Sequence, residues 1–341
     1  MNVDRVLRYS LETSYFIGSL PVGCRLCMAG KKTVLFITGL CRDKCWYCPV
    51  SRRKLGRDVI FVNEHRVNNL YTIVDEVYKS GSRGIGVTGG DPLIVIDRTC
   101  NIISLLKREF GEDFHIHLYT SGSRANKKVY ECLESAGLDE IRFHVYKPSL
   151  IQKAVEALDY SFDVGIEVPF IPLDEYILFL KRLVRIADEE GIGFININEF
   201  EVSESNVYKV ELHGLKPTGL TVEGIHDKAI EFLEWARRNT RRVNIHYCII
   251  EFKDKVQYRL RMMHRALNTL GLHEVPTRDG TVISIELLSG NVTSEDVYNI
   301  DGKRYIGPYK VYLYKGSGVE GFILEYYPVG ETILNKRFVK Y

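Results

Sequence analysis

The chain has 341 residues, a formal net charge of +2, 45% hydrophobic residues and 26% charged residues. Those values suit one large globular domain, or a barrel with an appendage, and the near-neutral balance gives bulk charge no reason to seek nucleic acid or a membrane surface. Asp4, Arg5, Arg8 and Glu12 interrupt the first twenty residues, and no apolar run can span a bilayer, so a cytoplasmic protein with no membrane partner is expected.

Eight cysteines in such a chain point to metal before disulfides. Five fall within residues 24–48. Cys100, Cys132 and Cys248 are scattered and read as buried small hydrophobes. Only two glutamines occur, Gln152 and Gln257, among many Ile, Val, Lys, Arg and Glu. That balance hints at a thermophilic source, in which a disulfide among the scattered three becomes permissible.

Residues 1–31 read as an N-terminal extension before the first core strand. It carries the pair Cys24-Arg25-Leu26-Cys27, half of a tetrahedral metal site, with Cys248 and His246 as one source of the other half. Three readings stay open there: a structural zinc, an auxiliary iron–sulfur cluster, or a metal-free turn. Thr33–Thr38 then reads as a strand and leads into Cys41-Arg42-Asp43-Lys44-Cys45-Trp46-Tyr47-Cys48-Pro49. Three cysteines at CxxxCxxC are too few for an ordinary four-thiolate cubane, and leave one iron open to a ligand. A zinc knuckle uses CxxC pairs instead. From Arg42 to Arg57 six basic residues meet one acid. This run is read either as a solvated face or as a landing site for an anionic substrate or an acidic electron donor.

Beyond the loop, strand and helix patterns alternate. Asn63 is expected to cap a helix over 64–80, followed by a strand at 84–88 and a helix at 95–110. Strands at 114–119, 140–146, 164–168, 194–197 and 243–250 alternate with helices at 124–136, 148–158, 174–190, 222–239 and 253–270. Such alternation predicts a parallel sheet with right-handed crossovers. No Gly-rich dinucleotide fingerprint follows the first strand; the cysteine loop stands there instead. From 271 short β-like runs appear at 281–288, 309–314, 321–327 and 332–339, predicting a small β-rich C-terminal domain over 271–341.

Several strand ends carry polar residues. Thr88-Gly89-Gly90-Asp91-Pro92 closes the second strand, and Tyr119-Thr120-Ser121-Gly122 the third. Ser121 or Ser123 can equally serve as an N-cap. His115, His117 and Tyr119 share one face by strand alternation, and His144 sits on the next strand. Glu167 on an apolar strand needs a partner, and Asn196, Asn198 and Glu199 are candidates for a substrate floor. Near the end, Arg241, Arg242, Lys253, Lys255, Arg259, Arg261 and Arg265 outnumber Glu251 and Asp254. With the 42–57 run they allow a nucleic-acid or phosphate-bearing substrate, but the amphipathic pattern around Arg259 and Arg265 reads rather as a solvated helix face.

The loop from Cys41 to Cys48, with aromatic Tyr47 before the last cysteine, resembles the radical S-adenosylmethionine (radical SAM) superfamily. Over residues 23–270 the chain is similar to an archaeal group related to pyruvate formate-lyase activating enzyme. The resemblance implies an open (partial) parallel β/α barrel over 32–270. Cys41, Cys45 and Cys48 would hold a [4Fe–4S] cluster whose open iron is chelated by S-adenosylmethionine (SAM). Gly89, Gly90, Asp91 and Pro92 resemble the family's Gly-Gly-Glu-Pro turn, with Asp for Glu at 91; its main chain would bind the SAM amino group. Tyr47, Thr120, Ser121 and Val168 are the further cofactor contacts implied, Val168 by position only. The implied reaction is reductive cleavage of SAM to a 5′-deoxyadenosyl radical that abstracts hydrogen from substrate, fed by a donor such as ferredoxin or flavodoxin. A protein or RNA substrate is favoured; a small metabolite, or a non-catalytic RNA-associated metal module, is the alternative.

Overall fold

The computed structural model describes residues 6–10, 14–329 and 332–341; Asp4, Arg5 and Glu12 lie outside them. In chain order the elements are β1 (Leu7–Ser10), β2 (Ser14–Ile17), α1 (Val22–Met28), β3 (Lys32–Phe36), β4 (Phe61–Val62), β5 (His65–Arg66), α2 (Tyr71–Ser80), β6 (Gly84–Thr88) and α3 (Ile96–Phe110). Then follow β7 (His115–Thr120), α4 (Lys127–Ser135), β8 (Glu140–Phe143), α5 (Ile151–Glu156), β9 (Asp163–Phe170), α6 (Asp174–Glu190), β10 (Phe194–Glu199) and α7 (Val207–Leu212). The hairpin β11 (Pro217–Thr218) and β12 (Thr221–Val222), α8 (Ile225–Asn239) and β13 (Asn244–Cys248) complete the alternating part.

One sheet holds the core, in the order β1-β2-β13-β10-β9-β8-β7-β6-β3-β4-β5. The run from β13 to β3 is parallel throughout, as the strand–helix alternation predicts. Its two outer strands do not pair with each other, so the barrel stays open. Antiparallel strands extend both edges: β2 on β13, and β4 on β3. Helix α1 packs against β3, β6 and β7. A continuous helical segment follows β13: α9 (Ile250–Phe252), a π-helical stretch over Lys253–Tyr258, and α10 (Arg259–Thr269). It touches α1 through the π stretch and α2 through α10. No helix among the described residues is long and apolar enough to cross a membrane.

The C-terminal part is a separate antiparallel sheet: β14 (Glu274–Pro276), β15 (Val282–Ser289), β16 (Val297–Ile300), β17 (Lys303–Ile306), β18 (Glu320–Tyr326) and β19 (Ile333–Lys340). Its strands run β16-β17-β15-β18-β19, with β14 beside β15, over a small core of Ile285, Leu287, Ile306, Val311 and Val319.

Four local expectations change. Asn63 caps no helix: it takes φ 47° in the turn between β4 and β5, a region Asn tolerates, and α2 starts at Tyr71. Its side chain accepts from Val34 N (3.1 Å) and donates to Glu76 Oε1 (2.8 Å). The run at 309–314 is no strand; Val311–Tyr314 forms a short 3-10 turn after Gly307-Pro308, its β propensity overridden by context. The CxxC pair is a helix, α1, with Cys24 and Cys27 one turn apart on one face. Much of the basic stretch after 250 is internal. Arg265 is buried and pairs with Glu76 at 3.1 Å, Arg261 has a 15% exposed side chain, and Lys253 lines the lumen.

Candidate active site

In a parallel β/α array the loops that follow the strands converge on one face. Here those loops enclose a cavity of about 560 Å³, within the range of small-molecule sites. Cys41, Cys45, Tyr47 and Cys48 line it, as do Gly89 and Gly90 after β6, Thr120 at the end of β7, Ser121 just beyond it, and Val168 in β9. Residues 48 to 127 positions beyond Cys41 thus meet the cysteine loop across one opening.

All three cysteines are free thiols. Burial pushes the Cys45 thiol up to about 11 and also raises Cys41. Those two thiols are therefore neutral until a metal displaces their protons. Among the described residues, the group whose ligand atoms all lie within 4.8 Å, as one ion requires, is His115, His117 and Glu140. The loop thiols are spread too widely to form such a group, and a polynuclear iron–sulfur cluster, which distributes its thiolates over several irons, fits them better than a single zinc.

The Gly89–Gly90 turn is pinned to the start of the cysteine loop. Gly90 N donates to Thr38 O (2.7 Å) and Asp91 N to Leu40 O (2.8 Å). A Cβ on Gly90 would lie 2.1 Å from Leu40 O, and one on Gly89 would lie 2.3 Å from Thr38 O. Glycine is needed here for loop-to-loop contact as much as for approach to a ligand. With those amides engaged, the turn's carbonyls are the groups suited to accept from an ammonium.

Asp91 and Pro92 stand behind the wall and do not line the cavity. Pro92 opens a short 3-10 turn that Asp91 caps by accepting from Leu93 N (3.0 Å). The Asp91 carboxylate also accepts from Thr120 Oγ1 (2.8 Å) and Ser121 Oγ (2.8 Å). The residue at 91 therefore matters through its side chain as well as its backbone. Neither Ser121 nor Ser123 caps the following helix: Asn126 does, accepting from Val129 N.

Tyr47 points inward, and its hydroxyl donates to His144 Nε2 (3.0 Å). His144 Nδ1–H in turn donates to Glu167 O (3.1 Å), which sets the tautomer. Burial holds the His144 ring neutral, and its Nε2 lies 3.9 Å from Cys45 Sγ. Tyr146 donates to Asp43 Oδ1 (2.7 Å), and Asn206 Nδ2 donates to Tyr47 O (2.9 Å), so two distant segments brace the loop. Trp46 stacks on His213 at 3.8 Å and 7°.

The floor is polar. Glu167 has the partners its burial demands: Arg142 Nη1 (2.7 Å) and Asn198 Nδ2 (2.8 Å). Arg142, 1% exposed, also binds Glu140 through Nε. Burial works to raise the Glu140 carboxyl, but Arg142 and His115 overcome it and hold it at about 2. Because the guanidinium claims Glu140, the His115–His117–Glu140 group is an ion-pair cluster, and neither histidine reaches the cavity. Glu199 and Asn198 do line it; Asn196 faces a second, deeper chamber. Arg142, Lys209 and Lys253 were not singled out from the sequence as lining residues. The available signal for Arg142 was Glu140, Arg142 and His144 alternating on one face of a buried strand.

Residues 35–173 match the model of the radical SAM superfamily. A Methanocaldococcus jannaschii protein named "Putative glycyl-radical enzyme activating enzyme" is 36% identical over 299 residues, 83% of this chain and 76% of that one. Among solved structures, SAM-bound SuiB of Streptococcus suis aligns with 64% of this chain and 50% of its own at 12% identity and TM-score 0.46. Methylornithine synthase aligns with 64% of this chain and 76% of its own at 12% identity and TM-score 0.42. The chain belongs to the radical SAM superfamily, as an enzyme whose cofactors are SAM and a [4Fe–4S] cluster.

Proposed function

We propose that Cys41, Cys45 and Cys48 hold the catalytic cluster, that SAM occupies the 560 Å³ cavity, and that the enzyme abstracts hydrogen from a partner protein. The observation carrying the assignment is that three free thiols and the Gly89–Gly90 turn share one cavity wall. The chemistry the bound group supplies is one-electron cleavage of the sulfonium, which releases a hydrogen-abstracting fragment.

This chain's residues orient and enclose that chemistry. The carbonyls of Gly89 and Gly90 face an ammonium, Thr120 and Ser121, held by Asp91, present hydroxyl groups, and Val168 offers an apolar surface to a base. Tyr47 and His144 set the position of Cys45. Asp43 and Asn206 tie the loop to the barrel and to the 201–209 segment, which keeps water from the cluster side.

A protein substrate is supported by the printed name of the M. jannaschii relative. Support for RNA is weaker, because Arg261 and Arg265 of the later basic stretch turn inward. Arg42, Arg52, Arg53 and Arg57 are exposed beside the cluster loop and suit an acidic electron donor such as flavodoxin or ferredoxin.

Reconstituted protein with SAM and dithionite should form 5′-deoxyadenosine, and Cys45→Ala should not. Product formation by Cys45→Ala would overturn the assignment. A tRNA gel shift that weakens steeply with salt would favour RNA over protein.

A further inference from the structure

Below the cofactor cavity lies a second chamber of about 300 Å³ inside the barrel, sharing Tyr119, Arg142, Glu167, Asn198 and Lys253 as its upper wall. Of the eight cysteines, Cys100 and Cys132 form a disulfide and three line the cavity above. The remaining three, Cys24, Cys27 and Cys248, are free and all line this chamber.

They come from two facing elements. Helix α1 places Cys24 and Cys27 on one face a turn apart. Strand β13 places His246 and Cys248 on one face, two residues apart. A single amide spans the gap: Gln257 Oε1 accepts from Cys27 Sγ at 2.9 Å while Gln257 Nε2 is 3.6 Å from Cys248 Sγ. Gln257 belongs to the π-helical stretch, a feature that recurs at functional sites.

His246 supplies an independent sign of a ligand. It is 3% exposed, its Nε2 is 2.6 Å from Ser14 Oγ, and its Nδ1 has no hydrogen-bond partner among the described residues. A buried imidazole with one nitrogen anchored and the other bare is the arrangement of an oriented metal ligand.

The charge of the chamber fits an anionic occupant. Arg142 pairs with both Glu140 and Glu167, two carboxylates to one guanidinium, so it brings the chamber no surplus positive charge. Lys32 and Lys253 also line the chamber and have no carboxylate within 4.0 Å among the described residues, and Arg261 has only Glu64 at 3.8 Å. Cys24 and Cys248 are buried, and thiolates in such a place need both a metal and nearby cations.

We propose that Cys24, Cys27 and Cys248, with His246 Nδ1 as the fourth ligand, hold a second iron–sulfur cluster in this chamber. A single zinc is disfavoured because these four do not form a group within 4.8 Å and the chamber far exceeds one ion. Three thiolates on an iron–sulfur core carry net negative charge, which Lys32, Lys253 and Arg261 offset. The assignment is independent of Cys41, Cys45 and Cys48.

The test is an anaerobic iron, sulfide and zinc count on the full chain after reconstitution and gel filtration. Wild type should carry about eight irons, two cubanes' worth. Triple alanine variants at 41/45/48 and at 24/27/248 should each keep about half. The reduced 41/45/48 variant should show a cluster EPR signal that SAM leaves unchanged, and adding Cys248→Ser to it should abolish that signal. If the 24/27/248 variant fails to fold, the iron and EPR of the 41/45/48 variant decide alone. About four irons in wild type, all lost from the 41/45/48 variant, overturn the proposal. So does one zinc per chain retained by that variant without iron.

Discussion

The contact between the Gly89–Gly90 turn and the cysteine loop yields the sharpest test. Gly90 has no left-handed φ, so Gly90→Ala adds no backbone strain and reads out contact alone. Its Cβ would sit 2.1 Å from Leu40 O and 2.5 Å from Leu40 C, both backbone atoms. An ordinary contact needs more than an ångström beyond that, so one loop must move away from the other. The Gly90 N to Thr38 O bond (2.7 Å) and the Asp91 N to Leu40 O bond (2.8 Å) would stretch together. Two backbone hydrogen bonds at about 1 kcal/mol each, with about 1–3 kcal/mol of overpacking, suggest a loss of about 3–5 kcal/mol. Leu40 precedes Cys41, so the displacement reaches the first thiol. We expect a lower urea midpoint at unchanged m-value, and less iron per chain after anaerobic reconstitution. Gly111→Ala is the control: it sits at φ 85° with nothing within 4 Å of its Cβ. Its ψ of 170° places it in an extended region that is essentially glycine-only, so the change should cost about 1–3 kcal/mol of conformational strain and leave iron unchanged. If Gly90→Ala matches Gly111→Ala in both midpoint and iron, the argument from loop contact is wrong.

Other outcomes follow from the same structure. Arg142→Met leaves Glu140 and Glu167 buried without their cation and should cost about 3–5 kcal/mol in urea denaturation; a loss under 1 would mean the carboxylates are neutral. Glu140 has a folded pKa of about 2 against an ordinary 4.5, so its contribution is complete above pH 4.5 and disappears as pH falls through about 2. Glu140→Gln should lose about 3 kcal/mol at neutral pH and show a flatter stability profile between those values than wild type. The Cys100–Cys132 disulfide closes a sequence separation of 32. Cys100→Ala/Cys132→Ala should lose about 3–4 kcal/mol with iron content unchanged; lost iron would implicate that pair in cluster binding.

The cysteine loop, the strand–helix alternation and the polar strand ends were readable because each is a local signal. CxxxCxxC is a matter of eight consecutive residues, and burial on one face of a strand leaves a period in the chain. Helix starts were less readable where a side chain had a competing long-range use. Asn63 looks like a cap, yet it serves Val34 and Glu76. Cys100 and Cys132 look like scattered core residues until α3 and α4 lie side by side. The run at 309–314 has strand composition but no sheet neighbour to pair with. Lys253, Arg261 and Arg265 have the spacing of a wet helix face, and that helix instead packs against the barrel and against Glu76 of α2.

By itself the sequence determined the order of parallel units and the loop on which three thiols stand, since alternation and short spacings need no partner to be expressed. Tertiary structure alone decided which distant groups share a space. It set Arg142 between Glu140 and Glu167, and put Asp91 behind Thr120 and Ser121. It also brought Cys24 and Cys27 to Cys248 across more than two hundred residues. Those meetings depend on how sheet twist and helix docking fold an open barrel around its lumen, and no local pattern along the chain records that distance.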